Sequence, residues 1–178
     1  MKIKKTYNWQ NISFILLFAF ISLVWVSCSI SYKFNGASID YTKTKTLSIV
    51  DFPNTAELNY PPLSQTFSEG LRDTYSKQTR LQLLKKGGDL HLEGEIVGYQ
   101  LSPMAIGTDG YSTETKLTMT VKVRFTNNKN PEDDFEKSYS SFRTFPSSNM
   151  LTDVQDGLMK EMVTEITDLI YNDTVAKW

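Results

Sequence analysis

Between Lys116 and Thr126 every second residue is apolar: Leu117, Met119, Val121, Val123 and Phe125 share one parity, and Lys116, Thr118, Thr120, Lys122 and Arg124 the other. Successive side chains on a strand point to opposite faces, so this stretch predicts a β-strand with one face in a core and the other in water. One covered face and one wet face suit an antiparallel sheet with helices packed on a single side.

The rest of the chain supplies elements to match. Thr46 to Phe52 alternates, with Leu47 and Ile49 set against Ser48 and Val50, and predicts a short half-buried strand that Pro53, Asn54 and Pro61-Pro62 bring to an end. Leu63, Phe67, Leu71 and Tyr75 recur every four residues, which predicts a helix from Pro62 to Lys77 with one buried stripe. Arg80 to Leu84 reads either as a last helical turn or as a short strand with Leu81 and Leu83 inward. Gln78 and Thr79 interrupt the stripe, which favours the strand. After the turn signal Lys85-Lys86-Gly87-Gly88, Asp89 to Leu101 predicts a long strand with Leu90, Leu92 and Ile96 on one side and His91, Glu93 and Glu95 on the other.

Pro103, Gly107 and Gly110 mark Ser102 to Ser112 as a long hairpin loop, and Asn127 to Asp134 as a polar turn follows the clearest strand. Phe135 to Phe145 predicts a further strand whose alternation fails at Ser140-Ser141, where a bulge or an edge position is expected. Thr152 with Gln155 fits a capping box, opening a helix to about Asn172 with Val154, Leu158, Met162, Ile166, Leu169 and Ile170 as its apolar stripe. Two amphipathic helices and one alternating sheet can bury each other's faces. The expected fold is therefore α+β, a two-layer sandwich of a mainly antiparallel four-stranded sheet with two helices on one face.

Ahead of this domain lies a different composition. Lys2, Lys4 and Lys5 form a positive region, Ile12 to Val26 an apolar run, and Ser27 a small residue directly before Cys28, the only cysteine. This pattern resembles the lipobox of bacterial lipoproteins, with Trp25 standing where Leu is usual. The resemblance implies that residues 1–27 are a signal peptide, that Cys28 is acylated, and that residues 28–45 are a polar tether to a domain spanning 46–178. An uncleaved N-terminal anchor is the competing reading, although about 15 apolar residues are short for a span that needs ~20. Several acyl chains on one cysteine would hold the protein stably at a membrane. Ser29, Ile30, Ser31 and Tyr32, directly after Cys28, carry no acid, which in lipoprotein families points to the periplasmic side of the outer membrane.

Without residues 1–27 the chain has 16 Lys and Arg against 20 Asp and Glu, a balance that argues against bulk nucleic-acid binding. About 150 residues suit one domain with a core large enough to need no disulfides, and none can form within a chain whose one thiol carries lipid. Catalytic patterns are missing. His91 is the single imidazole, too few for a zinc site with three or four ligands, no serine has a nucleophile elbow, and Gly107 to Gly110 lacks the Lys-Ser/Thr ending of a phosphate loop. Glu132, Asp133 and Asp134 are contiguous where a calcium loop alternates its ligands. An enzyme, a metal and a cofactor are not expected. What remains is surface: Lys116, Lys122 and Arg124 project from one strand face, with Lys85 and Lys86 in a nearby turn. They either pair across strands with Glu93 and Glu95 or form a basic strip for a phosphorylated ligand.

Taken with the lipobox and the element order, four stretches resemble the LptE family of lipopolysaccharide-assembly lipoproteins in its Bacteroidetes form. These are Pro62 to Glu69 with Gln78 to Leu81, Gly88 to Gly94, Leu117 to Val121, and the tail from Asn172 through Val175-Ala176 to Trp178. The resemblance implies a sandwich that plugs the lumen of the outer-membrane barrel LptD, assists its assembly, and binds lipopolysaccharide in transit to the cell surface. It places no ligand-binding residue, so Lys116, Lys122 and Arg124 rest on the charge pattern. The alternative, from another class, is a periplasmic lipoprotein that binds a small lipid or peptide without a barrel partner; a hydrolase with an unrecognised site is a weaker third.

Overall fold

A computed structural model describes residues 39–106 and 112–176 of the chain. The signal segment, Cys28, the first part of the tether, the centre of the Ser102 to Ser112 loop and Trp178 lie outside the described residues. The chain divides into two units, Met1–Phe34 and Asn35–Trp178, and the fold below is that of the second.

Its elements are β1 (Thr46–Ile49), α1 (Pro62–Gln78), β2 (Gln82–Leu84), β3 (Leu90–Ile106), β4 (Ser112–Asn127), β5 (Phe135–Pro146) and α2 (Leu151–Thr174), with one 3-10 turn at Pro131–Asp133. The strands form one sheet in the order β2-β1-β3-β4-β5. The expected mainly antiparallel sheet of four strands is thus a sheet of five, and it is mixed because β1 runs parallel to both β2 and β3. Alternation reports which way side chains face and says nothing about strand direction, which is why the sequence did not show it.

The parallel end depends on two glycines. β2 ends with Leu84 level with Ser48, and β3 begins with Leu90 level with Leu47 on the other side of β1, so Lys85 to Asp89 must cross over β1. Gly87 turns the chain at a φ of 75°, a left-handed conformation that suits glycine. Gly88 then passes so close that a Cβ on it would stand 2.7 Å from the Ser48 nitrogen. Ser48, on the parity expected to be wet, is buried beneath this crossing. Asp89 locks the junction by accepting hydrogen bonds from the backbone of Lys45 (2.9 Å) and Thr46 (3.1 Å) and from Thr46 Oγ1 (3.0 Å). Of the segment read as tether, Ile39 packs against the core and Thr44 is buried.

In β4, Leu117, Met119, Val121, Val123 and Phe125 are all buried as the alternation requires. β3 and β4 pair well beyond the expected strand ends, Ser102 against Lys116 and Pro103 against Thr115, so the hairpin loop is shorter than the Ser102 to Ser112 reading. Pro103 is tolerated there beside a register shift between Pro103 and Ala105, a bulge being one of the few places a sheet accepts a residue without an N–H. β5 keeps an unbroken register with β4 from Phe135 to Pro146 and lies at the sheet edge. Of the two alternatives at Ser140-Ser141, the edge position is the one observed.

Both helices cover one sheet face. Leu63, Phe67, Leu71 and Tyr75 of α1 are fully buried, and Gly70 lets α2 come close, since a Cβ there would lie 2.9 Å from Val163 Cγ1. In α2, Met162, Ile166 and Ile170 are buried and Val154 and Leu158 are partly so, whereas Leu169 is 41% exposed and Thr167 takes a place in the interface. The expected capping box does not form: the N-cap is Met150, and Gln155 turns inward to donate to the Tyr99 hydroxyl at 3.1 Å. A buried Tyr75–Thr174 hydroxyl pair ties the far ends of the helices together.

Candidate functional site

The face of the sheet away from the helices carries the cations singled out from the sequence. Lys116, Lys122 and Arg124 do share that face, but they do not make one strip. Lys116 sits about 20 Å from Lys122, six residues along the strand at ~3.3 Å each. Its ammonium lies over the Phe142 ring, 5.6 Å from the centroid. Lys122 and Arg124 cluster with acids from both neighbouring strands. Lys122 reaches Glu136 at 2.6 Å, and Arg124 reaches Glu136 at 3.0 Å and Glu93 at 3.2 Å.

Cross-strand pairing therefore holds for Lys122 and Arg124, with Glu136 as the main partner. Glu95, the other expected partner, stands opposite Lys122 in register yet accepts instead from Thr55 Oγ1 at 3.2 Å. The Lys122 and Arg124 hydrogen bonds hold the Glu136 carboxyl below its ordinary range, and Glu136 in turn raises the Arg124 guanidinium. Glu136 faces Arg124 only through the β4–β5 register, which the sequence alone does not fix.

The network extends to the parallel end of the sheet. His91 Nδ1 lies 2.7 Å from Ser48 Oγ, and His91 Nε2 lies 3.4 Å from Glu93. Ser48, His91, Glu93, Arg124, Glu136 and Lys122 thus run across β1, β3, β4 and β5. Beside them a shallow depression of ≈ 430 Å³ is lined by Val50, Asp51, Glu93, Glu95, Lys122 and Arg124 among others. His91 is a half-covered member of this network. Ser48 is fully buried, so the Ser–His pair presents no hydroxyl to a substrate. No group of three His, Cys, Asp or Glu side chains among the described residues could hold a metal ion.

At the far end of the β3–β4 hairpin, Leu101, Met104, Phe142 and Met150 are exposed apolar residues, Met150 by 73%. Nothing in the alternation pointed to them. Phe142 stands opposite Thr118 on the open face of the sheet, and Met150 is the N-cap of α2.

An open-faced, two-helix α+β sandwich of this kind also occurs in solved bacterial lipoproteins. Similar structures include lipoprotein B from Nitrosomonas europaea (TM-score 0.56, 15% identity, 75% of this chain and 83% of that one). Rare lipoprotein B from Shewanella oneidensis (TM-score 0.51, 16% identity, 72% and 92%) and a minor lipoprotein from Acinetobacter baumannii (TM-score 0.50, 14% identity, 75% and 94%) are similar as well. At such identities the likeness is one of fold. The family model for LptE, described as lipopolysaccharide-assembly, matches residues 44–174, and the chain belongs to that family. No curated protein matches the chain.

Proposed function

We propose that this protein is an outer-membrane lipoprotein, anchored on the periplasmic side through acylated Cys28, that plugs and assists assembly of the barrel LptD and takes part in lipopolysaccharide transport. The observation that carries this reading is the family match across residues 44–174. A single sandwich with a polar open face suits the water-filled lumen of a large barrel. The role is one of binding and assembly, without catalysis. Lys116, Lys122 and Arg124 are proposed contacts to lipopolysaccharide phosphates; exposed ion pairs contribute little, so phosphates could exchange with Glu136 and Glu93.

Gentle detergent extraction of the tagged full chain, followed by identification of what copurifies, tests the partnership. The barrel should come down in stoichiometric amount; its absence at wild-type expression would overturn the proposal. Fatty-acid labelling of the wild type and of Cys28→Ser tests the anchor. Label on the wild type alone is expected, and label on neither would remove the lipoprotein premise.

A further inference from the structure

The sheet has one long edge. β2 closes one side with only three residues, whereas β5 closes the other with twelve, and no further strand lies beside it among the described residues. A long edge strand is a template for another chain, because every second residue turns its N–H and C=O outward. Which residues do so follows from the ladder. The Ser147 nitrogen donates to the Thr113 oxygen, and Pro146 stands level with Glu114, so the odd-numbered residues of β5 bond to the β4 backbone. The backbone groups of Glu136, Ser138, Ser140, Phe142 and Thr144 therefore face outward. Pro146, which has no N–H to offer, falls on the same outward parity.

One side chain lies across this edge. Arg143 Nη1 donates to the Phe142 carbonyl oxygen at 2.8 Å, an outward acceptor that a neighbouring strand would need. Two carboxylates of α2 hold the guanidinium there: Glu161 accepts from Nε at 2.8 Å and Glu165 from Nη1 at 2.8 Å. Charge acts in the same direction. In the antiparallel pairing of two copies that uses all five outward residues, Ser140 lies opposite its own counterpart, Glu136 opposite Thr144 and Ser138 opposite Phe142. That register sets Lys137 against Arg143 at a non-hydrogen-bonded position, where facing side chains come closest. Both are tied to carboxylates of α2, so neither turns aside freely. A slip of two residues either way relieves the charges but still calls on the Phe142 carbonyl. Apart from Lys137 against Arg143, no like charges meet in the full register, so a β5 without Arg143 fits a second β5.

We propose that Arg143 guards the β5 edge against a second copy of this chain, by occupying the Phe142 acceptor and by opposing Lys137 across the pairing. The acidic flank of α2 is part of the device, since Glu161 and Glu165 keep the guanidinium over the strand. The guard is separate from Lys116, Lys122 and Arg124, and it stands on the geometry of the edge, whether or not a barrel is the partner.

Sedimentation of the full chain in maltoside micelles at high salt, which screens the two acidic α2 flanks from one another, tests it. The samples are the wild type, Arg143→Met, Arg143→Lys and, as a control that also loses a surface ion pair, Lys77→Met. The wild type and the control are expected to stay monomeric across the concentration range. Arg143→Met should dimerise, with a dissociation constant at least about tenfold below the wild type's lower limit, as a removed like-charge contact and a regained hydrogen bond imply. Arg143→Lys keeps the charge, gives up the forked contacts, and should fall between. Melts on the same samples show which variants are folded; should Arg143→Met lose its fold, Arg143→Lys carries the same test. Position is read with a short bismaleimide on Ser140→Cys in a Cys28→Ser, Arg143→Met chain. A crosslinked dimer is expected, and far less of it from Thr120→Cys, one strand further in. A folded and monomeric Arg143→Met, equal dimerisation of the wild type, or crosslinking from position 120 as strong as from 140 would overturn the proposal.

Discussion

The edge of the Phe52 ring fills the space that a side chain at Gly94 would need. A Cβ on Gly94 would stand 2.5 Å from Phe52 Cε1 and 2.1 Å from the Lys122 carbonyl oxygen. Phe52 is fully buried against Phe67 of α1, with ring centroids 5.2 Å apart, so it has nowhere to retreat. Gly94→Ala is therefore expected to destabilise the domain by about 3 kcal/mol, at the upper end of overpacking costs, because backbone must move as well as side chains. Urea unfolding of the variant beside the wild type checks this; a loss under about 1 kcal/mol would mean that the strand yields easily.

Val121→Asp and Thr120→Asp test the two-sided character of β4 at adjacent positions. Val121 is completely buried, and Thr120 lies on the open face, its hydroxyl 3.1 Å from that of Ser140. An unpaired carboxylate in the core costs several kcal/mol against a total stability of ~5–15, so the first change should unfold the domain and the second should cost little. Thermal melts decide it, and similar losses for both would contradict the one-sided sheet.

How far the sequence could be read follows from where its signals are local. The α1 stripe and the β4 alternation repeat over ten or more residues and depend only on which face is covered, so both were legible. Ser48 and Ser141 were not. Ser48 has wet-face parity but is buried because Gly88 crosses over it, a contact between residues forty apart. Ser141 has core-face parity but stays polar because Glu165 on the flank of α2 accepts its hydroxyl at 2.8 Å, and Arg143 beside it reaches Glu161 and Glu165. Likewise the cations of β4 were visible as a set, whereas their neutralisation by Glu136 depends on the register of a hairpin whose turn the sequence leaves open.

Asp89→Asn should remove a charged clamp. The hydrogen bonds from the Lys45 backbone and from Lys129, with those from Thr46, hold the Asp89 carboxyl well below the ordinary carboxylate range. The side chain is only 20% exposed, and the change is expected to cost about 1–2 kcal/mol at neutral pH. A folded-state pKa below the unfolded value contributes stability that is fully present above the unfolded pKa, ~3.9, and is lost as pH falls through the folded one. The gap between wild type and variant should thus be constant from pH 7 to about pH 4.5 and shrink below about pH 4. Denaturant titrations across that range measure it, and a gap that persists undiminished into strong acid would show that the carboxylate's charge is not what holds the junction.

Changing Lys116, Lys122 and Arg124 together to Glu separates a structural from a ligand-binding role. Glu136 and Glu93 already occupy Lys122 and Arg124, so reversal sets like charges across strands and the melting temperature should fall, most of the fall coming from positions 122 and 124. Lys116→Glu alone loses a contact to the Phe142 ring and should change the melt little. Adding Glu136→Lys to the triple variant restores opposite charges across β4 and β5 and should recover most of the lost melting temperature. It should not recover lipopolysaccharide affinity if the cations themselves meet the phosphates, because the positive charge then stands on β5 at a different place on the open face. Titrations of each variant with lipopolysaccharide at two salt concentrations, with melts on the same samples, give the answer: affinity that follows the melting temperature through all the variants would assign these cations to the sheet alone.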